Sequence, residues 1–574
     1  MERQKNNNYP KDLFTSTAYY HYLIEYVGNI QEEVSKKPGF YVNIINPRYA
    51  VLSVKAPKEP NIEDVYFSAT SYVKSAELYT LQEILPIYAT EVGFLQLDLP
   101  LNLTGNGVNV AILDTGVDYL SEEFMKVNGE TRIRALWDQT IESDEEQQGI
   151  YVPFGTLYSK EEIQGAIKAK REGKDPYEIV PSKDEVGHGT NMAGIIGATG
   201  KNPRLKGVVP QCDFVIVKLA EDVSRKSELG IQVPVFDVSS IFAAIDFLVR
   251  FVGIDYKPMV IYFPLGTNSG NHKGVGIIEE FIEEISKNSG IVLVTGAGNQ
   301  GAKGEHTSGI ISQVGEKKVI ELNVSPEQKS LVVEIWVEPP NIMSLDIVSP
   351  SGEKIVAISA AFNVTETYSF LFERTLIKVN YFLPFATTGD EWIVVRFENL
   401  TQGVWKFVLT GNRILNGRFD VWLPQHGIVL GDTRFILSDP YGTITNPGTS
   451  RYAITVAAYN QNNDSILNYS GVAFQDKFIN VVDIAAGGVN ALTVAPDNNI
   501  AVVNGTSVAA AIVAGACALL LQWAIVDSNY PYVYSNTIKT YLARGATKRA
   551  GDIYPNPQWG YGMLNILAMF QNIL

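Results

Sequence analysis

At about 150 residues per domain, a chain of 574 residues, 46% hydrophobic and 19% charged, implies roughly two to four domains with sizeable cores and excludes wholesale disorder. With 46 Lys+Arg against 62 Asp+Glu the formal charge is −16, so no broad cationic surface is available to phosphates or anionic lipid and nucleic acid is not an expected partner. Only Cys212 and Cys517 occur, far apart, and the opening MERQKNNNYPKDLF has no apolar run of signal-peptide type, which argues against a disulfide-stapled, Sec-exported protein.

Residues 1–97 read as a small α+β module of their own. Tyr20–Val27 and Tyr49–Val54 have strand composition, and Leu81–Pro86 reads as a short helix ending near its proline. From residue 98 to 310 the texture is strand–helix–strand. Val108–Leu113, Phe214–Leu219, Met259–Phe263 and Ile291–Thr295 are near-continuous apolar runs, as strands buried on both faces of a parallel sheet require. Helical stretches at Val238–Phe251 and Gly276–Ser289 lie between them. Charged Glu142–Glu146 and Lys168–Asp175 read as solvated surface of a long insertion.

Between 311 and 430 the segments Leu331–Val337, Leu345–Val348, Glu391–Phe397, Val404–Leu409 and Arg418–Leu423 are short and β-rich. Turns rather than helices separate them, which predicts an inserted antiparallel sandwich or jelly roll. Strand–helix texture resumes over 431–574. There Val508–Val526 carries no charge and approaches membrane-spanning length, but its Ala and Gly content and the absence of flanking Lys/Arg predict a buried core helix, with no membrane span.

Three segments carry chemistry. Asp114 closes the first buried strand in Ile112-Leu113-Asp114-Thr115-Gly116-Val117-Asp118, at the carboxyl end where open α/β sheets place their ligands. His188 lies in Gly187-His188-Gly189-Thr190-Asn191-Met192-Ala193-Gly194 before a small-residue helix, and Ser507 lies in Asn504-Gly505-Thr506-Ser507-Val508-Ala509-Ala510 at the start of the apolar helix. Acyl transfer uses these types for separable reasons. A serine hydroxyl needs a base to take its proton, imidazole titrates near neutrality, and a carboxylate fixes the imidazole tautomer and stabilises the imidazolium. Singly, each also fits a helix cap, a structural histidine or a turn. The order Asp, His, Ser is that of subtilisin.

These three motifs together resemble the signatures of the subtilisin-like serine proteases. Thr295-Gly296-Ala297-Gly298-Asn299 resembles the family's oxyanion segment, which implies Asn299 as oxyanion donor and Gly296, Ala297 and Gly298 as substrate-facing backbone. Pro264-Leu265-Gly266 resembles the segment that pairs with substrate, implying Leu265 and Gly266 as binding residues. Two positions depart from the pattern: Asn191 stands where a second His is usual, and Ala511 and Ile512 stand where Pro-His is usual. Trp137-Asp138-Gln139-Thr140, the inserted β region and Gln558-Trp559-Gly560-Tyr561-Gly562 narrow the resemblance to clostridial proteases of the Csp type.

What the resemblance implies is an α/β parallel sheet with flanking helices, a small α+β prodomain and an inserted all-β jelly roll. The implied activity is a serine endopeptidase that needs no metal or organic cofactor. Its protein substrate would be the precursor of a spore cortex-lytic hydrolase, and its own prodomain would be an intramolecular inhibitor, released by self-cleavage expected within Tyr88–Leu99. The implied location is the spore, after synthesis in the mother cell. The competing class is a pseudoprotease-like signalling or binding protein. Retention of Asp114, His188, Ser507 and Asn299 weighs against it.

Overall fold

The computed structural model describes residues 10–74, 77–81, 102–142, 150–358, 364–475 and 482–573. Its central sheet runs in the order Ser465–Ile466, Ile454–Asn460, Ile291–Gly296, Met259–Tyr262, Asn109–Asp114, Asp213–Lys218, Ile133–Asp138 and Thr156–Ser159, with Ile484–Gly487 also paired to Ile454–Asn460. Pairing is parallel throughout except at Ser465–Ile466 and Thr156–Ser159.

The apolar runs follow from burial on both faces. Val110 and Ile112 point into the layer that holds the helices His188–Gly197 and Thr506–Leu521. Ala111 and Leu113 point the other way, into the layer of Val238–Asp255 and Ile277–Ser286. The helix Thr506–Leu521 is apolar all round because every one of its residues is buried, and one π-helical turn extends it to Val526. It is long and apolar enough to cross a membrane, yet 94% of its most apolar window lies inside the fold.

At the N-terminal end, Phe40–Ile44, Tyr49–Lys55, Tyr19–Tyr26 and Thr70–Val73 form an antiparallel sheet beside the helix Ile30–Ser35. One face of this sheet has its own core of Tyr20, Tyr22, Ile24, Val34 and Leu52. The other face packs Tyr19, Leu23, Tyr49 and Val51 into the same cluster as Val238 and Phe242. Buried Arg225 joins the two units: it donates to Asp222 and Asp237 on its own side and to Glu59 and the His21 carbonyl on the other.

Leu81 corrects one expectation. It ends an extended strand, Leu78–Leu81, rather than beginning a helix, and the remainder of the expected helix lies outside the described residues. A short apolar run does not distinguish the two states. Here two flanking strand edges decide: Phe236–Asp237 on one side and Leu265–Gly266 on the other, both antiparallel to it.

The inserted region is a sandwich of two antiparallel sheets. One is ordered His306–Ile310, Arg418–Trp422, Leu331–Val337, Glu391–Glu398, Thr375–Phe382, Val364–Phe370; the other is Lys354–Ile358, Ile342–Val348, Gly403–Arg413, Lys317–Val324, Arg434–Phe435. Their facing residues, among them Val333, Ile335, Leu345, Ile393, Trp405 and Phe407, share one core. Buried Glu334 ties the sandwich to the protease-like part, accepting from the indoles of Trp336 and Trp392 at 3.1 Å each and from the Gly270 amide at 3.2 Å.

Candidate active site

Asp114 is the last residue of the central strand Asn109–Asp114 and is fully buried. His188 is the first residue of its helix and 3% exposed. Its Nδ1 lies 2.7 Å from Asp114 Oδ2 and 2.9 Å from Oδ1, so the carboxylate fixes a proton on Nδ1 and turns Nε2 away as the basic nitrogen. The approach needs glycine at 189: a Cβ there would sit 2.0 Å from the Gly116 carbonyl oxygen and 3.0 Å from Asp114 Cβ.

A residue that the motifs did not single out holds this pair. Gly187 caps the His188 helix with no side chain to offer, and buried Asp184 takes over the role. Its Oδ1 accepts from the Gly187 amide and the Thr115 hydroxyl, both at 2.8 Å, and its Oδ2 accepts from the Thr190 amide at 2.9 Å and hydroxyl at 2.7 Å. Thr115 Oγ1 also accepts from the Gly189 amide at 3.2 Å, while the Thr115 amide donates to Asp114 at 2.7 Å. Burial raises the Asp184 pKa, and the bonds from Thr190 and Thr115 pull against that shift. The signal in the sequence was a carboxylate four residues before His188, where a helix start wants an acceptor.

Ser507 sits on the first turn of Thr506–Leu521, a helix that packs against the His188 helix. Gly505, at φ +134°, turns the chain from the hairpin Ala491–Val503 into that helix. Fully buried Tyr262, at the end of the neighbouring strand, donates its hydroxyl to the Ser507 carbonyl at 2.9 Å. Burial, and after it the nearby Asp114 charge, keeps that phenol well above its ordinary pKa and therefore protonated. Asn299 follows the strand Ile291–Gly296, and its Oδ1 accepts from Thr506 Oγ1 at 3.1 Å. This bond engages the amide oxygen as acceptor, which fixes the amide flip and leaves Nδ2 as the donor end of the side chain. Ala511 and Ile512 are buried in the core, and the Asn191 carbonyl accepts from Thr493 Oγ1 at 2.6 Å.

Leu265 and Gly266 form the short strand that pairs with Leu78–Leu81, in the register Leu265↔Leu81 and Gly266↔Thr80. The other residues expected to face substrate lie one strand over. The Ala297 amide donates to the Val456 carbonyl and its carbonyl accepts from the Thr445 amide, so both of its backbone groups are bonded within the fold. The Gly298 carbonyl accepts from Gly471, and Gly296 is the last residue paired to Val456.

An aspartate at a strand end, a histidine bonded to it at a helix start and a serine heading the central helix define the Asp-His-Ser hydrolase class on a doubly wound α/β sheet. The subtilase family profile matches residues 105–324 and 438–562, and the chain belongs to that family. Among solved structures, the CspB protease of Clostridium perfringens is similar over 84% of this chain and 97% of its own, with a TM-score of 0.74 and 28% identity. Among curated proteins, the PII-type proteinase of Lacticaseibacillus paracasei is 22% identical over 290 residues, and the PI-type proteinase of Lactococcus lactis subsp. cremoris is 22% identical over 291 residues. Each of these matches covers 49% of this chain and only 13% of the proteinase's length.

Proposed function

We propose that the chain is a serine endopeptidase in which Ser507 is the nucleophile, His188 the general base and then acid, Asp114 the orienting carboxylate and Asn299 an oxyanion donor. The observation that carries this reading is the bond between His188 Nδ1 and the Asp114 carboxylate at the start of a helix packed on that of Ser507. In the acylation step His188 Nε2 takes the Ser507 hydroxyl proton as Oγ attacks the carbonyl, and returns it to the leaving amine. Water then repeats the cycle on the acyl-enzyme. The helix N-terminus beneath Ser507 and the Asn299 amide supply positive potential where the oxyanion develops. A fluorophosphonate probe tests the reading: it should label wild type and fail on Ser507→Ala. Absence of wild-type labelling would favour the binding-protein class.

The N-terminal module, in this reading, is a prodomain that inhibits as a bound product. The support is the strand Leu78–Leu81, which lies between Phe236–Asp237 and Leu265–Gly266 as the acyl side of a substrate would. The Tyr88–Leu99 stretch, where the sequence reading puts self-cleavage, lies outside the described residues; if Leu78–Leu81 is the acyl side of the cut, self-cleavage falls within a few residues past Leu81. Mass spectrometry of wild type against Ser507→Ala should find the cut there, with the two fragments co-purifying. A wild-type chain that stays intact would reduce the module to a folding role.

The finer biological reading rests on the Csp-type motifs and on the likeness to the C. perfringens CspB protease. It is a spore-associated protease, with prodomain 1–97 and a jelly-roll insert at 311–430, that activates a cortex-lytic hydrolase precursor during germination. Incubating the purified protein with such a precursor, and looking for a single Ser507-dependent cut, is the test.

A further inference from the structure

The strand Leu78–Leu81 is held by more than the two edges beside it. Gln425, 1% exposed, lies in the loop that joins the strand Arg418–Trp422 of one sandwich sheet to Arg434–Phe435 of the other. Its Nε2 donates to the Leu78 carbonyl at 2.7 Å and to the Gly266 carbonyl at 3.1 Å, one hydrogen to each strand, while its Oε1 accepts from the Asn268 amide at 3.3 Å. Only a carboxamide offers two donors and an acceptor at one such point. Three residues on, Ile428 closes a pocket over the Leu78 side chain with Ile231 and Val235, and all four residues are buried. Two further contacts seat this connecting loop on the protease-like part, one at Val233 and one at Gln300. At Gly427, φ +98°, a Cβ would come within 2.9 Å of Val233, and the His426 amide donates at 3.2 Å to Gln300, the residue after Asn299.

We propose that this connecting loop of the sandwich is a wall of the substrate cleft, with Gln425 and Ile428 as specificity-determining residues. The substrate class is then an extended stretch of protein with a large apolar residue three positions before the one that pairs with Leu265, the place Leu78 now holds. The hydrophobic side chains packed on Leu78 are all aliphatic, so a carboxylate at that position would lose those contacts and be taken out of water. Gln425 reads the same residue's backbone, so register and side chain are checked by one segment. The inference rests on the protease reading of Ser507.

The test uses the full chain carrying Leu78→Asp, which loosens its own tail, and measures how peptides protect Ser507 from a fluorophosphonate. The pentapeptide Glu-Leu-Tyr-Thr-Leu, the sequence of residues 77–81, should protect at a concentration roughly 10- to 100-fold lower than the same peptide with Asp in second place, as expected for burial of one Leu side chain. Adding Gln425→Glu, which sets carboxylate oxygens against two carbonyls, should weaken protection by the Leu peptide at least tenfold. Equal protection by both peptides, no protection by either, or no effect of Gln425→Glu would each overturn the proposal while labelling itself persists. A Leu78→Asp chain that never labels would overturn the protease reading as well.

Discussion

Replacing Asp184 by Ala isolates positioning from chemistry, because this carboxylate touches neither Ser507 nor a substrate. The change removes the acceptor for the Gly187 and Thr190 amides at the start of the His188 helix and for the hydroxyls of Thr115 and Thr190. Loss of a helix cap costs about 0.5–2 kcal/mol, and each bond to a charged acceptor contributes about 1.5–3 kcal/mol. Water entering the vacated space recovers part of this, which leaves a net loss of about 2–4 kcal/mol. Thr115 would then lose its hydroxyl's bond to Asp184 and keep only those to Asp114 and from Gly189, and the His188 ring would drift relative to Asp114. A misplacement approaching 1 Å costs on the order of 100-fold in rate. The assay is the second-order rate of Ser507 labelling by a fluorophosphonate, read beside a calorimetric melting curve. Asp184→Asn should fall between wild type and Asp184→Ala, since it keeps one oxygen but sets an amide donor against Thr190. A melting point lowered by several degrees with a labelling rate within twofold of wild type would refute positioning and leave Asp184 a stabilising residue only.

Ser507→Ala and His188→Ala should each abolish most self-cleavage and the double change should cost little more, because the triad acts as one unit; additive losses in a gel time course would sink the assignment. Asn299→Ala should lower turnover by about 100- to 1000-fold while the Ser507→Ala background shows no further change, measured on any peptide the wild type cuts. His21 gives a pH test. Burial pushes its pKa down from 6.5 to about 4, with Asp222 pulling it up and Arg225 pushing it further down. The folded chain therefore binds fewer protons than the unfolded one between those values, and stability present above pH 6.5 is lost as pH falls toward 4, by about 3 kcal/mol. His21→Phe, which keeps the ring stack on Phe14, should flatten that part of the denaturation-versus-pH curve, and an unchanged slope would show that His21 is not its source.

The parallel sheet was legible because a strand covered on both faces has to be apolar at consecutive positions, as Val110-Ala111-Ile112-Leu113 is. The outer strands of the sandwich were not. Lys317–Val324 opens with exposed lysines, and Val364–Phe370 shows one largely exposed edge, so neither run stands out from turn composition. The helix Lys160–Arg171 was also hidden. Its last turn carries Lys168, Lys170 and Arg171 and reads as charged surface, while its buried stripe of Ile163, Ala166 and Ile167 is narrow and its capping box, Ser159 with Glu162, is easily passed over.

The site divides along the same physical line. Asp114, His188 and Ser507 announce themselves because close approach forces small residues around them, and the 2.0 Å between a Cβ at 189 and the Gly116 oxygen is that constraint in one number. Tyr262 looks like any buried strand aromatic, and Gln425 like any loop amide, since their partners lie 245 and 347 residues away in the chain. Leu78–Leu81 carries no pattern of its own, because its conformation is imposed by Phe236–Asp237, Leu265–Gly266 and Gln425 rather than by local preference. A segment held extended by backbone bonds to its neighbours, with one side chain sunk in an aliphatic pocket, is also what a bound substrate strand would be. The property that made Leu78–Leu81 invisible to pattern reading is therefore the one on which the proposed substrate cleft depends.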